Sequence, residues 1–193
     1  MSTLNLTLEL ERLIADIVGR VEEFAHIDPR RLLICVSSTR GGGVHGTYAK
    51  IHPLCFAGGE KTRQVRRGRR TYSCTMPDIS HRGVEMLYVI YFLVPRFLEL
   101  PFREKLVTVF HELYHISPAC DGDIRRFPGR NYAHGSSAKR YNAYMAKLVE
   151  HYLQRRADEA PVRFLDGDMD ALRGRHQAVV GRKLAMPRIS ISS

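Results

Sequence analysis

The chain has 193 residues, 44% of them hydrophobic, which suits one compact domain around a single core and leaves too little for two. Its four cysteines, at 35, 55, 74 and 120, contain no C-x-x-C pair. That excludes a zinc ribbon or a dense disulfide scaffold and predicts buried free thiols. Thirty Lys and Arg against twenty Asp and Glu leave a net charge of +10, which favours acidic partners, nucleic acid among them.

The first residues, "MSTLNLTLELERLIADIVGR", carry early acids and no basic region leading into an apolar run, so they predict no secretory signal and a cytoplasmic protein. Leu10, Ile14, Ile17, Val18, Val21 and Phe24 recur at helical spacing and predict an amphipathic helix over 7–25, broken by "HIDP". From Arg31 to Asp78 the apolar runs shorten to "LLICV", "YAKIHPL" and "TYSCTM", which predicts one small sheet. Within it, "STRGGGVHG" lacks the G-K-[ST] ending of a phosphate loop and reads as a turn. "KTRQVRRGRR" places Lys61, Arg63, Arg66, Arg67, Arg69 and Arg70 within ten residues without an acid. This predicts a protruding hairpin with a potential suited to phosphate backbones.

The most apolar run, Met86 to Val94, falls short of the roughly 20 residues that span a bilayer and predicts a buried strand, not a membrane segment. Pro101 suits the start of the next helix, expected from Phe102 to about Ile116. Ser136 or Ser137 can cap a further helix with apolar positions Tyr141, Tyr144, Met145, Leu148, Val149, Tyr152 and Leu153. Residues 1–160 are thus expected to form one domain. Residues 161–193 are expected as a basic C-terminal extension, docked or partly disordered; "DGDMD" within it resembles a calcium loop only superficially.

His111 and His115, four apart on the Phe102 helix, share a face and can reach one ion. Glu112 lies about 100° round the helix, placed to act on a water rather than as an easy third ligand. The chemistry requires that division: the imidazoles hold zinc, and the carboxylate takes a proton from water and returns it to the leaving amine. A shuffled chain of this composition shows H-E-x-x-H about once in forty times. A catalytic zinc needs a third protein ligand, for which three candidates stand. His134, just before the capped helix, is preferred. Asp121 has the spacing of an extended H-E-x-x-H motif, but Pro118 occupies the position of the turning glycine. Asp123 is close but matches no defensible spacing. Asp121 and Asp123 are expected instead to orient an imidazole or to pair with Arg125 and Arg126, and Tyr132 or Arg130 to stabilise an oxyanion. His26, His45, His52, His81, His151 and His176 show no ligand spacing.

The run "HELYHISPACDGDIRRF", followed by "YAHG" opening an aromatic-rich helix, resembles the SprT-like zinc metalloproteases, which include the Spartan proteases that digest proteins crosslinked to DNA. Its wording is closer still to metallopeptidases found in phage and bacterial genomes. The resemblance implies an α+β zincin fold, with a small mixed sheet, an active-site helix and further packed helices. It also implies His111, His115 and His134 as zinc ligands and Glu112 as the catalytic glutamate. Two departures stand out: the connector before "HG" carries "IRRFPGRNY", and no cysteine-rich ribbon is present. The expected protein is therefore a zinc metallopeptidase acting on protein or peptide, with nucleic acid as a second candidate partner through 61–70. The reading from another class is a nucleic-acid-binding or regulatory module with a structural zinc.

Overall fold

The computed structural model describes residues 2–38, 47–127, 138–155 and 160–192. It opens with strand β1 (Thr3–Asn5) and helix α1 (Leu6–Arg20). The Asn5 side chain accepts from the Leu8 N–H at 3.2 Å and so caps the helix, while Leu6, Leu10, Leu13, Ile14 and Ile17 bury one stripe. The helix stops earlier than its periodicity predicts, because Val21 turns extended; Phe24 reaches the core from a separate helical turn at Glu22–Phe24.

Strands β2 (Leu32–Ser38), β3 (Ala49–Pro53), β4 (Thr62–Arg67) and β5 (Arg70–Thr75) follow, then the short β6 (Ser80–His81) and β7 (Val84–Glu85), and β8 (Tyr88–Val94). Beyond them come α2 (Phe102–Tyr114), α3 (Ala138–Arg155), α4 (Met169–Arg175), β9 (Ala178–Val180) and β10 (Ser190–Ser192). Mixed α+β architecture results, with small sheets and several helices.

The central sheet has the order β2-β8-β3. β8 runs parallel to β2, from Leu32↔Tyr88 to Ser38↔Val94, and antiparallel to β3, from Ala49↔Phe92 to Pro53↔Tyr88. Its alternation feeds two apolar layers. Tyr88, Ile90 and Phe92 join the main core with residues of α1, α2 and α3, while Val89 and Tyr91 meet Leu33, Cys35, Leu54 and Met86 on the other side.

The expectation of one sheet from Arg31 to Asp78 is corrected: "TYSCTM" belongs to a second sheet, ordered β10-β5-β4. The physical reason is composition. β4 and β5 carry polar and charged side chains on both faces, and β4 is exposed throughout, so the hairpin gains nothing by joining the core. Gly68, at φ +63°, makes its tight turn.

The described C-terminal residues pack along the body. Val162, Phe164 and Leu165 are buried against the main core, and the buried Lys105 of α2 donates to the Leu165 and Gly167 carbonyls. β9 pairs in parallel with β1, and the Arg182 carbonyl accepts from the Val36 N–H at 2.8 Å along β2. The "DGDMD" stretch serves as a helix cap, Asp168 accepting from the Ala171 N–H at 2.8 Å. All four cysteines are free, Cys35 and Cys55 buried and the other two half-buried. Among the described residues no helix is long and apolar enough to cross a membrane.

Candidate metal centre

Helix α2 is held by its apolar stripe. Leu106, Val109, Phe110 and Leu113 are fully buried; Phe110 meets Phe24 edge-on at 5.4 Å and tilts against Tyr152 at 5.8 Å. That seat fixes which way the polar residues of its last turn point. His111 and Glu112 line a cleft of about 220 Å³ with Thr47, Tyr48, Ala49, Val107 and Thr108. One wall of the cleft is therefore the start of β3, an edge strand of the central sheet, and the other is α2.

The imidazoles of His111 and His115 lie with ring centres 4.8 Å apart and planes at 77°. His115 ends the helix in the right-handed conformation as its C-cap and is 9% exposed. Glu112 is 6% exposed. Burial pushes its carboxyl up to about 7, against the pull of a hydrogen bond from the Ile51 backbone, which ties the acid to the edge strand. A carboxyl in that range can both take and give a proton near neutral pH.

Tyr141 of α3 is a residue whose place the sequence concealed. Its ring stacks on His115 at 6.0 Å and meets His111 edge-on at 4.9 Å, and its hydroxyl donates to the His111 carbonyl at 3.3 Å. Helical spacing marks Tyr141 only as an apolar position; the sole signal was a tyrosine in the first turns of the helix that follows "HG". Tyr114, Phe127 and Tyr144 continue the aromatic cluster, and Arg125 caps it with its guanidinium 4.3 Å over the Tyr114 ring.

After His115 the chain turns back sharply. Ile116 bridges Ile124, and the Arg125 N–H donates to the His115 carbonyl at 2.6 Å. The "DG" pair makes the turn possible: Gly122 sits at φ +89°, and a Cβ there would lie 2.6 Å from Cys55 Sγ. Asp121 accepts from the Ser117 hydroxyl and from the Asp123 N–H. Asp123 holds Arg126 through both carboxylate oxygens, at 2.8 and 3.1 Å, which matches the ion pair expected of it for Arg126. Both carboxylates thus serve the loop. Among the described residues no three His, Cys, Asp or Glu side chains gather closely enough to hold a metal ion, so Asp121 does not complete a set with His111 and His115. His134, Arg130 and Tyr132 lie outside the described residues.

The donor chemistry nevertheless suits zinc. Two adjacent imidazoles on one helical turn, beside a carboxylate drawn into the sheet, are nitrogen donors of the kind a borderline-soft dication takes. Against this geometry, the family model described as "putative phage metallopeptidase" matches residues 4–152, from β1 into the last turn of α3. The chain belongs to this family. The match spans the central sheet, the cleft and both helices that frame the histidines, and the family name implies a metal and a peptide substrate. No curated protein and no solved structure matches the chain. The C-terminal residues from 160 on, including β9 and β10, lie beyond the matched region of the phage metallopeptidase family.

Proposed function

We propose that the protein is a zincin-like zinc peptidase, with residues 1–160 as its catalytic unit and α2 as its H-E-x-x-H helix. His111, His115 and His134 hold the ion, and Glu112 is the general base. The observation that carries this reading is the burial of Glu112 in a cleft shared with His111 and bordered by β3, the edge strand of the central sheet among the described residues. A solvated surface helix has no reason to bury an acid, since burying a carboxylate without a role costs stability. The family match supports the same chemistry.

Zinc at these nitrogens would supply Lewis-acid polarisation of the scissile carbonyl and lower the pKa of water. The remaining steps belong to the chain itself. β3 offers an edge along which an extended peptide can lie, bringing its carbonyl toward His111 and Glu112. The Glu112 carboxylate takes the proton of the attacking water and passes it to the leaving amine as the C–N bond breaks. The Ile51 hydrogen bond holds that carboxylate in place, and Tyr141 packs the two imidazoles so that they cannot swing apart.

A structural zinc in a regulatory module would have little use for an acid held beside its ligands. Digestion of unfolded casein by the purified protein tests the reading: chelation should abolish hydrolysis and added zinc restore it. His134→Ala should lose zinc, whereas Asp121→Ala should keep it; the reverse result removes His134 from the site. Nucleic acid is the second partner of this reading, through the basic segment 61–70, whose five arginines carry no acid among them.

A further inference from the structure

The basic segment forms an exposed sheet whose two faces differ. Paired residues of antiparallel strands share a face, so the register sorts every side chain. Thr62 with Thr75, Gln64 with Ser73 and Arg66 with Thr71 make one face, which β10 extends with Ser190 and Ser192. Arg63 with Cys74, Val65 with Tyr72 and Arg67 with Arg70 make the other, which β10 extends with Ile191. The first face is hydroxyl-rich. The second holds Val65 and Tyr72 between a row of Arg63, Cys74 and Ile191 at one end and Arg67 with Arg70 at the hairpin tip.

Val65 and Ile191 are 43% and 67% exposed, and Tyr72 beside Val65 is half-buried, so the face presents an apolar surface to solvent. The three arginines are exposed as well, and among the described residues no carboxylate pairs with them. Lys61 differs: it is held by Asp78 at 3.3 Å and Glu85 at 3.0 Å, so it does not belong with the free cations as its sequence position suggests. From Arg63 to Arg67 the face runs about 13 Å, and it is about 10 Å wide at the Arg63 end, where β10 adds a third strand.

We infer that this face, carrying Arg63, Val65, Arg67, Arg70, Tyr72 and Ile191, is a binding site for single-stranded nucleic acid. The inference rests on the nucleic-acid reading above and names the form of the polymer and the face that takes it. Charge complementarity selects a polyanion, and the use of arginine throughout favours phosphate, whose oxygens match the guanidinium fork. The apolar centre selects among polyanions. Unpaired bases offer flat faces to Tyr72 and Val65 while phosphates on either side meet the arginines, whereas a duplex keeps its bases stacked inside and offers only backbone. The strand that widens the platform, β10, comes from beyond the family match, so the complete face is a feature of this chain rather than of the matched region.

Fluorescence anisotropy of the full-length protein with a labelled oligothymidylate, a duplex of equal length and anionic phosphatidylserine vesicles tests it over a salt series. The oligothymidylate should bind tightest. Tyr72→Ala should weaken it roughly 5- to 150-fold with the salt slope unchanged, since stacking carries about 1–3 kcal/mol per base, and Tyr72→Phe should bind as the parent does. Replacing Arg63, Arg67 and Arg70 by Gln should lower the slope of log K against log[salt] by about 2. Equal or tighter duplex binding, or full binding by Tyr72→Ala, overturns the single-strand site and leaves the charge reading standing. Vesicle binding without oligonucleotide binding, or no oligonucleotide binding at low salt, overturns both. None of these outcomes bears on hydrolysis, which is read separately.

Discussion

Helix α2 and the β4–β5 hairpin hold the two concentrations of polar chemistry in this protein, and the fold treats them in opposite ways. α2 draws Glu112 and His115 into the body, supports them with fully buried Phe110 and Leu113, and leaves only a narrow cleft in front of His111. The hairpin pushes its arginines out on both faces of a sheet that covers no core. Burial changes what a group is: Glu112 becomes a carboxyl titrating at about 7. Exposure keeps a charge ordinary but lets it act on a large ligand. Position on the surface therefore separates the residues suited to bond-making from those suited to docking.

That contrast can be broken most forcefully in the core beneath the site. Phe110→Ala should cost about 3–5 kcal/mol, because it leaves a cavity between Phe24 and Tyr152, whereas Val65→Ala on the hairpin should stay within about 0.5 kcal/mol. Urea unfolding of both variants checks the pair; equal losses would mean the hairpin is packed after all.

A smaller effect is expected at Lys105, which is 2% exposed and pins the 165–167 carbonyls to α2. Lys105→Met leaves the buried Leu165 carbonyl and the part-buried Gly167 carbonyl without their donor and should cost about 2–3 kcal/mol. Gln replacement of Arg66 and Arg69, both exposed, should be silent in the same unfolding experiment.

Proton linkage gives the third test. In zinc-free protein the Glu112 carboxyl titrates at about 7 when folded, above its ordinary 4.5, because burial penalises the charge. Between those values the native state keeps a proton that the unfolded chain releases. The stabilisation is full below about 4.5 and is lost as pH rises through about 7, about 3 kcal/mol in all. Glu112→Gln should flatten that part of the stability profile. A parent protein whose stability rises from pH 5 to 7 relative to this variant would contradict the burial argument.

Much of the first region was legible in sequence. The spacing of four between the histidines, Pro101 at the helix start and the long apolar run of β8 each have a local cause, and each fell close to where it was expected. The hairpin was also legible, from its run of charge. What stayed hidden depends on partners distant in the chain. Apolar alternation cannot tell that β2 pairs in parallel with β8 while β5 joins β10 more than a hundred residues away. Tyr141 showed only as an apolar helical position, although its ring rests on both imidazoles. The C-terminal segment gave weak periodicity because Val162, Phe164, Leu165, Met169 and Leu172 anchor it through short turns rather than one long helix.

The central claim is that Glu112 moves the proton in a zinc-dependent hydrolysis. Turnover of unfolded casein by Glu112→Gln, at a zinc content matched to the parent, tests it most directly. The amide fills the same space and accepts a hydrogen bond but takes up no proton at neutral pH, so the rate should fall by about 10² to 10⁴. Turnover within a few-fold of the parent at equal zinc content would contradict the account.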